Sequence, residues 1–263
     1  MKQMIDEYQT VSGYGNDTYW GGKDVLNYAR YMQVAAQTGN TQAFTTIKKK
    51  LKDALTDWFT YTPGESAHYF SLYPNVGSFL GHRTRDNGNP GIDIMQDHAF
   101  CYGYHVYAAA LLMMYDEDFK AKYKDMAKML VLDYANYNRA DKRFTYFRSF
   151  DPWAGHSYSG GLGDGNGNGE ESSSEGMQAW GAMYLLGEVT GDKQMRDAGI
   201  FGYTQEAQGV AEYWFDRSHI PANGGQGNYD YTKWHHDYNS NLTSGGIGWW
   251  TYFSGDPFWK HSI

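Results

Sequence analysis

Residues 100–115, FCYGYHVYAAALLMMY, decide the fold. The stretch is almost wholly apolar, and its small residues Ala108, Ala109 and Ala110 leave no polar face. A helix of this kind is buried on most sides and must be surrounded by other elements. The flanking sequence supplies helices for that purpose. Asp24 to about Thr38 is one, and Thr41 to about Tyr61 is another, with Phe44, Ile47, Leu51, Leu55 and Trp58 at three- and four-residue spacing. Phe119 to about Tyr137 repeats that spacing at Phe119, Tyr123, Met126 and Leu130. Ser173 to about Val189 and Met195 to about Phe215 complete the set.

Four helix-ending phrases share one turn: QTGNTQAF at 37–44, MYDEDF at 114–119, VTGDKQM at 189–195 and FSGDPFW at 253–259. In three of them a glycine can take the left-handed conformation after one helix, and an Asn, Asp or Thr can cap the next. In the second phrase Asp116 stands where the others have Gly. Each phrase therefore reads as the bend of a helical hairpin. Between the hairpins lie long, polar, Gly-rich loops at 63–96, 138–172 and 217–246, and loops of that length are usually functional or disordered. No strand pattern of any length competes with the helices. Recurring helical hairpins joined by long loops predict an all-α fold, an α/α toroid with its site built from loops at one end. No boundary divides the chain, so one domain is expected over 1–263.

Composition narrows the partners. The 263 residues include 24 Tyr, 9 Trp and 13 Phe. Flat rings with a polar edge suit the faces and hydroxyls of a sugar, although tightly packed helices also use many aromatics. The net charge of −8 argues against nucleic acid or an anionic membrane. No apolar run approaches the roughly eighteen residues needed to cross a bilayer. The opening MKQMIDEYQT is too polar for a secretory signal, so any targeting segment is expected outside this sequence. The one cysteine, Cys101, excludes an intramolecular disulfide, and among bulky apolar neighbours it reads as packing.

The richest candidate segment is 148–175, RSFDPWAGHSYSGGLGDGNGNGEESSSE. It gathers Arg148, Asp151, Trp153, His156 and further acids in one Gly-rich loop that then enters a helix. Ser172 and Glu175 have capping-box spacing, which predicts a helix start near Ser173. Glu171 and Glu175 lie four apart at that helix mouth, where the dipole keeps carboxylates ionised, as a general base requires. The second segment is 93–107, DIMQDHAFCYGYHVY, with Asp97 and His98 where a loop meets the apolar helix. Burial at its edge would raise the Asp97 pKa and suit a general acid; a plain helix cap accounts for Asp97 equally well. Asp164, Asn166, Asn168, Gly169 and Glu175 match the calcium loop of an EF-hand, but the preceding GHSYSGGLG cannot form its incoming helix. His235, His236 and Asp237 lack a third ligand at a convincing spacing and read as a polar loop. No nucleophile-elbow or phosphate-loop motif is present.

Read together, the phrases DTYWGGK at 17–23, QDHAFCYGYHVYAAA at 96–110, RSFDPWAGHSYSGGLGDGNGNGEESSSEGMQAWGAMYLLG at 148–187 and GWWTYFSGDPFWKHSI at 248–263 resemble glycoside hydrolase family 81, the endo-β-1,3-glucanases. They occur in the family's order over nearly the whole chain. The resemblance implies an (α/α)6 catalytic barrel without the family's N-terminal β-sandwich, cut short at the C-terminal end. It implies Asp97 as the general acid, Glu171 as the general base and Glu175 as a supporting glutamate. His98, Tyr102, Asp151, Trp153 and His156 fall in the same phrases and would shape the sugar subsites. The family inverts anomeric configuration, which predicts the carboxyls of Asp97 and Glu171 about 6.5–9.5 Å apart. The implied partner is β-1,3-glucan, the protein an extracellular monomer that needs no metal or organic cofactor. Two departures stand out: Ala99 and Cys101 replace histidines usual in the family. Three alternatives stay open beside hydrolysis: a non-catalytic glucan-binding relative, a calcium-dependent module on 164–175, and a toroid with another polysaccharide substrate.

Overall fold

The computed structural model of the chain describes residues 2–83, 97–152, 155–158 and 172–213. These fall into two compact units, one from 1–148 with 178–200 and one from 149–177 with 201–263. The described residues are mostly helical. In the first unit lie α1 (Lys2–Thr10), α2 (Trp20–Gln37), α3 (Thr41–Trp58), a hairpin of β1 (His68–Tyr73) and β2 (Ser78–Arg83), α4 (His98–Met113) and α5 (Glu117–Ala135). The second unit carries the short antiparallel hairpin of β3 (Phe150–Asp151) and β4 (His156–Ser157). Helices α6 (Ser173–Thr190) and α7 (Lys193–Tyr213) each contribute residues to both units. No helix of the described residues is long and apolar enough to cross a membrane.

Helix α4 takes the central place its composition dictates. Every residue of it except Tyr107 is buried. It packs on α2 and α5, and α2 packs in turn on α3. Small residues let α4 and α6 touch backbone to backbone: a Cβ added at Gly103 would lie 3.0 Å from Ala179 Cα. The α6–α7 bend uses glycine reciprocally. A Cβ at Gly187 would fall 2.5 Å from the Arg196 nitrogen, and one at Gly199 2.5 Å from the Tyr184 nitrogen.

Two of the bends, at 37–44 and 189–195, behave as the phrases predict. Gly39 (φ 70) and Gly191 (φ 76) are left-handed. Asn40, Asp116 and Asp192 each cap the following helix by accepting from the N–H three residues on, at Ala43 (3.1 Å), Phe119 (2.9 Å) and Met195 (3.0 Å). This corrects the alignment of the second phrase. Asp116 is the counterpart of Asn40 and Asp192, so Tyr115 occupies the glycine position. The fourth phrase, 253–259, lies outside the described residues.

Three elements depart from the sequence reading, one of them the short β3–β4 hairpin inside the loop expected at 138–172. Residues 68–83, expected within a loop, form an antiparallel hairpin with Phe70 opposite Gly81. A two-stranded hairpin is marginal alone. Here the Phe70 ring lies on Trp58, Tyr102 and His105, at centroid distances of 5.4, 5.2 and 5.3 Å. The N-terminal decapeptide, noted only for its polarity, is helical. Ile5 is buried and Tyr8 stacks on Tyr31 at 3.8 Å. Lys50 Nζ, from α3, caps its end by donating to Gln9 O (2.5 Å) and to the Val11 carbonyl.

His105 is wholly buried on α4 and donates from Nδ1 to the Cys101 carbonyl (2.8 Å). Burial pushes its pKa down from 6.5 to about 4, partly offset by that bond and reinforced by nearby His68. The folded value lies below the unfolded one, so the unfolded chain binds the proton more readily. Stability is therefore full above pH 6.5 and is lost as pH falls through the window down to about 4. The gap is worth roughly 3 kcal/mol. Urea denaturation at pH 7 and at pH 4.5 should show that loss, and the His105→Gln variant should show a flatter dependence. Parallel slopes would mean that another group carries the acid sensitivity.

Candidate active site

Asp97 stands at the N-cap position of α4 with a left-handed backbone, φ 55 and ψ 22. Its side chain makes no cap hydrogen bond to the helix; its carbonyl accepts from Cys101 N at 2.8 Å. The carboxyl is thus not spent in the way a plain cap would spend it. The residue is partly exposed at the positive end of a helix. Asp is among the few side chains that tolerate a left-handed backbone.

The residues that follow Asp97 turn inward. His98 is 5% exposed and Tyr102 2%. His98 Nδ1 donates to Asp133 Oδ1 (2.7 Å), and the Tyr102 hydroxyl lies 3.0 Å from the Phe79 carbonyl and 3.2 Å from His98 Nε2. Their polar atoms are engaged inside the protein, behind Asp97. Ala99 and Cys101 are equally interior, at 4% and 1% exposure. The two departures from the family pattern therefore fall in helix packing. Asp133, fully buried, had no sequence signal beyond a lone acid in the apolar run MLVLDYA.

In the second unit, Asp151 and His156 face one another in the β3–β4 register. Tyr158 donates to Asp151 Oδ2 at 3.0 Å. His156 is buried, donates from Nδ1 to the Ser157 carbonyl (2.7 Å), and is held neutral because burial lowers its pKa. The hairpin is held by Glu206 of α7, a buried acid that the sequence reading also missed. It accepts from Ser157 Oγ (2.9 Å) and Ser157 N (3.1 Å). Helix α6 starts at Ser173 as the capping-box spacing predicts, and the Ser172 carbonyl accepts from Glu175 N at 3.2 Å. Glu175 therefore sits in its first turn, partly exposed. Glu171, Trp153, residues 164–169 of the calcium-like pattern, and His235, His236 and Asp237 lie outside the described residues. Among the described residues no group of three or more His, Cys, Asp or Glu is placed to hold a metal ion.

Asp97, in the first unit, and Glu175, in the second, each place a carboxyl at a helix start, where an acid can serve proton transfer. Residues 2–226 match the glycosyl hydrolase family 81 C-terminal domain. The chain belongs to glycoside hydrolase family 81. It is similar to a glucan endo-1,3-beta-D-glucosidase of Acetivibrio thermocellus, 40% identical over 203 residues that make up 76% of this chain and 26% of the relative. A Thermobifida fusca protein of the same description is 34% identical over the same shares. Among solved structures, a family 81 protein from Clostridium thermocellum superposes with a TM-score of 0.74 at 28% identity, covering 100% of this chain and 43% of that one. The chain spans about a quarter of the length of the curated relatives it matches.

Proposed function

We propose that this family 81 chain belongs to a catalytic (α/α) barrel that hydrolyses β-1,3-glucan internally by a single displacement with inversion. The observation that carries the reading is Asp97. It occupies a helix mouth in a left-handed turn, in a family whose relatives are named as endo-1,3-glucanases. Asp97 would donate its proton to the departing glycosidic oxygen while Glu171 takes a proton from a water on the opposite face of the ring. Glu175, in the first turn of α6, would support the site electrostatically. Asp151 and His156, on the β3–β4 hairpin, would shape the sugar subsites together with Trp153, and His98 and Tyr102 would act from behind the acid. The buried positions of Ala99 and Cys101 give the binding-only alternative no support. We further propose that the protein works as an extracellular monomer.

Reducing-end release from laminarin, followed while the first-formed anomer is read by proton NMR, tests both parts of this reading. Release with the α anomer appearing first is expected. Release with the β anomer first would overturn inversion, and laminarin binding without release would overturn hydrolysis.

A further inference from the structure

Among the described residues only two other than glycine have positive φ: Asp97 (φ 55) and Phe147 (φ 45). Such backbones persist only where the surroundings over-determine them, and for a bulky aromatic they are true outliers. The two positions share a consequence. Asp97 is followed by His98 and Phe147 by Arg148, and both followers converge on one buried carboxylate, Asp133 of α5. Asp133 has no solvent exposure, and its two oxygens accept from four donors. Oδ1 takes His98 Nδ1 (2.7 Å) and Arg148 Nη2; Oδ2 takes Ser78 Oγ (2.9 Å) and Phe79 N (2.6 Å). Arg148 closes the ring by donating from Nη1 to Ser78 Oγ at 2.8 Å. The lone pairs of one carboxylate are thereby filled, and α4, α5, β2 and the chain leading into β3 are tied at one point.

We propose that Asp133 is a positioning residue for the general acid: with Arg148 it clamps His98, and so fixes the left-handed turn that presents Asp97. The inference rests on the reading of Asp97 as the acid. A buried carboxylate of this kind holds its partners by charge-assisted bonds that are short and directional. His98 cannot rotate without abandoning Asp133, and Asp97 cannot leave its left-handed well without moving His98. Proton donation is sensitive to such placement, because a displacement of about 1 Å can cost on the order of a hundredfold in rate.

Asp133→Asn keeps the size of the group but removes its charge and half its accepting capacity. Arg148→Lys, at a residue whose side chain is 27% exposed, keeps a cation for Asp133 but breaks the fork to Ser78. Each variant is compared with Asp97→Asn on two substrates: laminarin, whose leaving oxygen needs a proton, and a laminari-oligosaccharide bearing a 2,4-dinitrophenyl leaving group, which departs without one. Thermal unfolding reports whether each variant folds. Both positioning variants should lower kcat on laminarin by roughly ten- to a hundredfold with KM unchanged, and affect the activated substrate much less. Parallel losses on both substrates in the folded variants, or no loss on either, would overturn the inference. Should Asp133→Asn fail to fold, Arg148→Lys decides alone. The Asp97→Asn control separates the two assignments. If it shows no split between substrates, the acid assignment fails; if it splits and the positioning variants do not, only the clamp fails.

Discussion

Replacing Asp97 by Asn is expected to remove nearly all laminarin hydrolysis while leaving glucan binding close to that of the parent. General acid catalysis contributes about 10²–10⁴-fold, so the loss should correspond to roughly 3–5 kcal/mol of barrier. Asn is the appropriate replacement for two reasons. It preserves the shape of the side chain, and with Asp it is one of the residues that tolerate the left-handed turn observed at this position. The fold therefore survives and only the proton is withheld. Glu171→Gln should act in parallel, because the attacking water then lacks a base. The measurement is reducing-end release beside a laminarin-binding titration. Near-parental turnover in either variant would show that the carboxyl concerned is not an acid or base of the reaction.

The second large effect concerns stability. Trp58, the last residue of α3, has no solvent exposure. Its ring lies 4.7 Å from His68, 5.4 Å from Phe70 and 4.9 Å from His105 between centroids. It is thus the surface on which the β1–β2 hairpin meets α3 and α4. Truncation to Ala removes the transfer energy of a large aromatic and opens a cavity lined by three rings that are each anchored elsewhere. Cavities that cannot collapse are the costly ones, so about 3–5 kcal/mol of destabilisation is expected. Urea denaturation of Trp58→Ala should show it as a lowered midpoint, with hydrogen exchange in 68–83 accelerated first. A loss below about 1 kcal/mol would mean that the hairpin is held by its other ties.

Those ties explain what the amino-acid order alone could not disclose. The segment His68–Tyr73 is too short to announce a strand, and five of its six positions are at least partly exposed. It becomes one because Asp133, more than fifty residues away, accepts from Phe79 N and Ser78 Oγ, and because Phe70 finds an aromatic floor. Helix α1 is similar: its polar sequence is rescued by Lys50 and by the Tyr8–Tyr31 stack. At the candidate site the same division holds. Asp97 and Glu175 were visible because each adjoins a helix start, a local feature. Asp133 and Glu206 were not, because a lone acid in a helix looks alike whether it is solvated or is the centre of a buried network.

By itself the sequence determined helices α2 to α7, the bends at 37–44 and 189–195, and the places of Asp97 and Glu175 beside helix starts. These follow from interactions that close within a few residues: apolar spacing at 3.6 per turn, side-chain caps three residues ahead, and glycine where the backbone must turn left-handed. Only the tertiary structure decided that His98 and Tyr102 face inward, that 68–83 pairs into a hairpin, and that Asp133 joins the two strained turns at Asp97 and Phe147. These depend on partners 15 to 55 residues apart. Burial and charge pairing are properties of a neighbourhood in space, and no local period records them.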